Sequence, residues 1–158
     1  MPSTTTTATE ATPLPIGTQA PAFSLPASGA SGTLHLKDYA GKNLIIVFYP
    51  KDSTPGCTRQ LCALRDDAER FSKINTAIIA SNPGSLKSHQ SFSEKQGYPF
   101  PILVDADRTM ARDYGALKEN GTSIQRTVYI IDSKGVIRFA QQGMPTDEEL
   151  EAVIKSFL

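Results

Sequence analysis

Cysteine is scarce: Cys57 and Cys62 are the two in a chain of 158 residues. So few thiols exclude a disulfide scaffold, and two cysteines five positions apart are no zinc site by themselves. Such a pair suits reaction better than stapling. Histidine is as rare, with only His35 and His89. Charge bias is absent, since sixteen Lys plus Arg balance sixteen Asp plus Glu, and no basic run points to nucleic acid or a membrane surface. No apolar run approaches the roughly 18 residues needed to cross a bilayer. Internal repeats and a phosphate-binding glycine loop are missing, and Asp105 and Asp107 lack the remaining ligands of a calcium loop. No basic stretch followed by an apolar one marks a secretory signal, so a cytoplasmic location is expected. The first 15 residues, MPSTTTTATEATPLP, read as a flexible tail. Residues 16–158 are then expected to form one domain.

The chain is organised around Pro50 to Arg65, PKDSTPGCTRQLCALR. It follows Leu44-Ile45-Ile46-Val47-Phe48-Tyr49, an apolar, β-branched run that reads as a strand buried on both faces. Thr54-Pro55-Gly56 is turn chemistry. From Thr58 to Phe71 there is no Pro or Gly, and Leu61, Cys62, Leu64, Arg65, Ala68 and Phe71 recur at helical spacing. Cys57 therefore falls in the first turn of a helix entered from a buried strand. Unpaired backbone N–H groups and the positive end of the helix dipole favour a thiolate there.

Around this centre, Ala22–Leu25 reads as a short edge strand limited by Pro21 and Pro26. Gly29–Gly32 reads as a loop, Thr33–Leu36 as a second short strand and Asp38–Gly41 as a turn. Thr76–Ala80 is expected to be a buried strand, Ser85–Gln96 a helix stopped by Gly97, and Ile102–Val104 a strand. Asp107 is the expected N-cap of a short helix ending at Tyr114. Thr127–Ile131 and Val136–Ala140 flank the hairpin turn Asp132–Gly135. Thr146 and Glu149 make a capping box for a last helix reaching Leu158. Helices alternate with strands and a hairpin closes the sheet. The expectation is an α/β, thioredoxin-like fold with a central mixed β-sheet and helices on both faces.

Pro50, Thr54 and Cys57 spell P-x-x-x-T-x-x-C, which resembles the active-site signature of the peroxiredoxins. The longer string FYPKDSTPGCTRQLCALRD is similar to the PrxQ, or bacterioferritin comigratory protein, subfamily. APAFSLP, SHQSFSEKQGYPFPILVD and RTVYIID extend the likeness over about Gly17 to Leu158. The family often has Ser-x-Asp where this chain has Ser81-Asn82-Pro83. The resemblance implies a thiol peroxidase acting on hydrogen peroxide and organic hydroperoxides with no cofactor and no metal, recycled by thioredoxin or a glutaredoxin-like dithiol. It further implies Cys57 as peroxidatic cysteine, Cys62 as resolving cysteine, Thr54 as a hydroxyl partner, Arg126 as the active-site arginine and Pro50 as a shield for the thiolate.

Each residue also has a plainer reading. Cys57 could be a buried, inert thiol, Thr54 a turn or cap residue, Arg126 an exposed edge residue opening an apolar strand, and Cys62 a core cysteine. His89 reads as a residue on a solvated helix face, which weakens a cysteine–histidine hydrolase; Asp66-Asp67 and Glu148-Glu149 read as solvated helical charges. A protein dithiol–disulfide oxidoreductase would use C-x-x-C, whereas this chain has C-x-x-x-x-C. A redox sensor whose surface changes when Cys57 is oxidised stays open. In an intact helix, Cα atoms at i and i+5 lie about 8.7 Å apart, while a disulfide needs them within about 7 Å. If both thiols serve one cycle, the first helical turns must unwind. With both on one helix, a monomer suffices.

Overall fold

Asn43–Phe48 is a strand with every side chain buried, because successive residues face opposite layers of a sheet. Ile45 and Val47 enter one core, while Leu44, Ile46 and Phe48 enter the other. The computed structural model describes residues 11–30 and 32–158. Residues 1–10 of the expected tail, and Ser31 in the expected Gly29–Gly32 loop, lie outside it.

In chain order the elements are β1 (Ser24–Ser28), β2 (Thr33–His35), a 3-10 turn (Leu36–Tyr39), β3 (Asn43–Phe48), α1 (Pro55–Ser72), β4 (Thr76–Asn82), α2 (Leu86–Gln96), β5 (Ile102–Val104), α3 (Thr109–Asp113), β6 (Thr127–Ile131), β7 (Ile137–Gln142) and α4 (Asp147–Ser156). The strands form a mixed sheet in the order β2-β1-β5-β4-β3-β6-β7. β4 runs parallel to both β3 and β5, and β6 runs antiparallel to β3. Leu61, Leu64 and Phe71 of α1, Phe92 of α2, and Leu150 and Ile154 of α4 cover one face. Met110 and Ala111 of α3, with Tyr114, cover the other. The expected mixed sheet with helices on both faces is what forms.

Two expectations are corrected. β1 is not an edge strand ending at Pro26. Ser24, Leu25 and Pro26 pair with β2, and Ala27 and Ser28 pair with β5. Pro26, which has no N–H to donate, sits where the strand changes partner. The N-cap of α3 is Arg108, in a left-handed backbone with φ 64°, rather than Asp107. Asp107 still accepts from the Thr109 amide at 3.0 Å. Buried Asp105 accepts from the amides of Met110 and Ala111 at 3.1 and 2.9 Å, although burial pushes its carboxyl above the usual range.

Residues 11–15, the end of the expected tail, lie against the body. The Leu14 amide donates to the Tyr129 hydroxyl at 2.9 Å, and Gln142 donates to the Ala11 carbonyl at 2.9 Å. Gly115 makes room for this segment. Its φ is +65°, and a Cβ there would stand 2.0 Å from the Thr12 carbonyl oxygen.

α4 opens with the expected capping box, the Thr146 hydroxyl accepting from the Glu149 amide at 3.1 Å. Next in line, Asp147 is buried, and its Oδ2 has no hydrogen-bond partner among the described residues. Burial, together with the carboxyl of Asp67 on α1, pushes Asp147 up to about 7. Asp67, expected to be a solvated charge, is thus only partly exposed, with Arg70 at 3.1 Å. A carboxyl raised on folding binds its proton more tightly in the folded state. As pH rises from the ordinary aspartate range to about 7, the unfolded chain ionises first and this group's contribution to stability falls. Asp147→Asn should flatten the decline of melting temperature with pH over that window. Parallel curves for the two proteins would show that Asp147 is not the source.

Candidate active site

The chain leaves β3 through Tyr49 and Pro50 and turns at Ser53, whose φ is +63°, before Thr54 takes the N-cap position of α1. Pro55 occupies the first helical turn, where its fixed φ fits and its missing N–H costs nothing. The helix thus starts three residues before the expected Thr58. Cys57 is its third residue, inside the first turn and 1% exposed.

Arg126 precedes β6, which runs beside β3, and this places its guanidinium over the start of α1. Nη2 donates to Cys57 Sγ at 3.2 Å, and Nη1 donates to Gln60 Oε1 at 2.6 Å. Gln60, one turn after Cys57 and buried, therefore fixes the guanidinium in the plane that reaches the sulfur. A Cβ on Gly56 would stand 3.4 Å from Arg126 Nη2 and 4.0 Å from Arg59 Nη2, so the glycine leaves the approach to the helix start open. The guanidinium and the positive end of the α1 dipole thus act on one sulfur, an arrangement that stabilises an anion.

The other expected site residues divide. The Thr54 hydroxyl donates to the Lys51 carbonyl at 2.9 Å, closing the turn, while its own carbonyl accepts from the Thr58 amide at 2.8 Å. Pro50 is exposed at the mouth of the loop. Cys62 sits on the same continuous helix as Cys57, and both are free thiols. Cys62 does not face Cys57. Its Sγ lies 3.5 Å from Gln96 Oε1 and 3.5 Å from the Tyr98 hydroxyl.

His89 overturns the solvated reading: it is 0% exposed. With Phe92 three residues on, it forms the inward face of α2, and a buried imidazole needs partners for both nitrogens. Nδ1 lies 2.6 Å from Asp52 Oδ2, and Nε2 lies 3.1 Å from both the Asn82 and Leu103 carbonyls. Both ring nitrogens thus face oxygen atoms, the carboxylate on one side and two carbonyls on the other. Asp52 also accepts from the Tyr49 hydroxyl and, at 2.7 Å, from Ser88. Burial opposes its charge, but the hydrogen bonds from His89, Tyr49 and Ser88 outweigh it and hold the carboxyl below its usual range. Asn82, where the family often has another residue pattern, ties the same loop by donating to the Tyr49 carbonyl at 2.8 Å. The loop that carries Pro50 and Thr54 is thus pinned to α2, β4 and β5.

Sequence reasoning missed Gln60, Asp52 and Tyr98. Only Gln60 left a signal, as a polar residue three after Cys57 on the apolar side of the helix. Among the described residues, no group of three or more His, Cys, Asp or Glu could hold a metal ion, and no helix is long and apolar enough to cross a membrane.

A family model described as the AhpC/TSA family matches residues 16–140. The chain is similar to peroxiredoxin Bcp of Bacillus subtilis, 40% identical over 127 residues that cover 76% of this chain and 80% of that relative. Among solved structures it is similar to the Xanthomonas campestris bacterioferritin comigratory protein, studied for its alkyl peroxide reduction activity. That match has a TM-score of 0.75 and 31% identity, covering 85% of this chain and 88% of the other. PrxQ of Xylella fastidiosa superposes with a TM-score of 0.81 at 27% identity, covering 92% of this chain and 96% of the other.

Proposed function

This chain belongs to the AhpC/TSA family, as a thioredoxin-fold peroxiredoxin of the Bcp and PrxQ type, and from that premise we infer that Cys57 is the residue at which it reduces hydroperoxides. The observation that carries the assignment is the 3.2 Å contact from Arg126 Nη2 to a sulfur in the first turn of a helix. The Cys57 thiolate attacks the terminal peroxide oxygen, the O–O bond breaks, and the departing alkoxide or hydroxide takes up a proton. Cys57 becomes a sulfenic acid. Negative charge grows on the leaving oxygen, beside the Arg126 guanidinium and the free amides of α1. Thr54 and Pro50 flank the approach, the hydroxyl oxygen of Thr54 accepting from the peroxide while it donates to the Lys51 carbonyl, and Pro50 limiting water at the sulfur. Hydrogen peroxide and organic hydroperoxides are the substrates, the second class supported by the activity for which the Xanthomonas relative was studied.

Cys62 then attacks the sulfenic sulfur, releasing water and forming a disulfide. A cytoplasmic dithiol donor, thioredoxin or a glutaredoxin-like protein, returns both thiols. One chain supplies both sulfurs, so a monomer is the working unit, with residues 16–158 as its catalytic domain. Peroxide consumption measured with and without thioredoxin tests the reading. Turnover should require the dithiol, and a single stoichiometric reaction with no recycling would leave a sensor instead of an enzyme.

The resolving step demands movement. α1 is continuous through both cysteines, and residues five apart on a helix sit about 8.7 Å apart at Cα, beyond the roughly 7 Å limit of a disulfide. Hydrogen exchange on the reduced and disulfide forms should show protection lost from Arg59 to Leu64 on oxidation. Equal protection in both, with the Cys57–Cys62 bond verified by mass spectrometry, would refute the unwinding.

A further inference from the structure

The half-buried thiol of Cys62 is held from outside its own helix. Gln96, the last residue of α2, brings Oε1 to 3.5 Å from Cys62 Sγ, and Tyr98, just past the Gly97 cap, brings its hydroxyl to 3.5 Å. An amide oxygen can only accept, so the S–H donates to Gln96 and the Tyr98 O–H points at the sulfur. Burial pushes the Tyr98 phenol up, so it remains a donor. Its ring is fixed by stacking on Phe100, with centroids 5.2 Å apart and 12° between planes, and by an edge contact with Phe92 at 5.2 Å. One turn beyond Cys62, Arg65 Nη1 donates to the Gln96 carbonyl at 2.7 Å. The C-terminal end of α2 therefore grips α1 at two successive turns, at Cys62 inside the segment that must unwind for the sulfurs to meet and at Arg65 just beyond it.

We propose that Gln96 and Tyr98 form a latch on Cys62 and set the rate at which that thiol is released to Cys57. They are positioning residues that act through Cys62. The proposal rests on the disulfide-forming cycle given above. The step it controls is attack of the Cys62 sulfur on the Cys57 sulfenic acid: the S–S bond forms, the S–OH bond breaks, and the thiol proton leaves with hydroxide as water. Its competitor is a second hydroperoxide, which oxidises the sulfenic acid to sulfinic acid and is itself reduced to the alcohol. The latch contacts have to break before Cys62 can travel, so they hold the sulfenic acid open to that competitor for longer.

Tyr98→Phe removes the hydroxyl and keeps the ring against Phe92 and Phe100. Gln96→Ala removes the amide and keeps the carbonyl that receives Arg65. Loss of one neutral hydrogen bond corresponds to about a two- to fivefold change, so either variant should form the disulfide faster by that factor and the double variant by roughly tenfold. The fraction of sulfinic acid at a fixed peroxide concentration, read by mass spectrometry, should fall in proportion. The first oxidation of Cys57, measured in a Cys62→Ser background, should run at the same rate with and without Tyr98→Phe, which a general loosening of the fold would not leave intact. Unchanged or slower disulfide formation in both variants overturns the latch, as does a shift in the first oxidation that accounts for the whole effect. A wild type that forms no Cys57–Cys62 bond overturns the cycle beneath it, and that result is seen before any variant is compared.

Discussion

Cys57→Ser should reduce peroxide consumption to the rate of buffer alone while the protein stays folded. The substitution exchanges one buried atom, so its cost in stability should be about 1 kcal/mol, visible as a small drop in melting temperature. Its chemical effect is far larger, because a serine hydroxyl is hardly ionised near neutral pH and Arg126, the group in contact with the Cys57 sulfur, is no base that could activate it. Arg126 and the α1 amides offer positive charge and hydrogen bonds, and neither takes a proton away. The proposed reaction needs an anionic nucleophile, which a thiol supplies far more readily than an alcohol. Retention of near-wild-type turnover by a folded Cys57→Ser protein would end the assignment.

His89→Leu should be the most damaging substitution away from the sulfurs. Removing the imidazole leaves the Asp52 carboxylate buried with only the hydroxyls of Tyr49 and Ser88. Taking a hydrogen-bond partner from a buried carboxylate costs about 3 kcal/mol, which in a domain of this size corresponds to a melting-temperature loss of roughly 10 °C. Asp52→Asn in the same protein removes the stranded charge and should recover part of that loss, a coupling that two independent defects would not show. Denaturant titration of the four proteins measures it. A cost for His89→Leu below about 1 kcal/mol, or strict additivity with Asp52→Asn, would mean that the pair contributes little and that the loop is held by Asn82 alone.

How much of this was legible beforehand follows the range of the interactions. The alternation from Leu44 to Phe48, the Ser85 and Gly97 ends of α2, the Thr146–Glu149 box and the placement of Cys57 at a helix start are all local patterns. Each was read from neighbouring residues, and each is present in the structure. The resemblance to the peroxiredoxins was carried by a contiguous string for the same reason. Pattern alone left Arg126 divided between an edge residue and a site group. Its contact with Cys57 spans 69 positions, and no periodicity encodes a distance of that kind. His89 was misread because helical spacing tells which face of a helix is polar without telling what covers it. Its partner Asp52 is 37 positions away.

By itself, then, the sequence determined the alternation of strands and helices, the fully buried strand from Leu44 to Phe48 and which sulfur stands at a helix N-terminus, since these depend on steric and hydrogen-bonding preferences over a few residues. Only the tertiary structure decided that β1 lies inside the sheet, that Arg126 reaches Cys57, that a buried histidine pins the loop, and that Cys62 is gripped by residues 34 and 36 positions away. A buried charge or thiol takes whatever partner the folded chain brings to it. That partner is set by how the layers pack, which involves the whole domain at once.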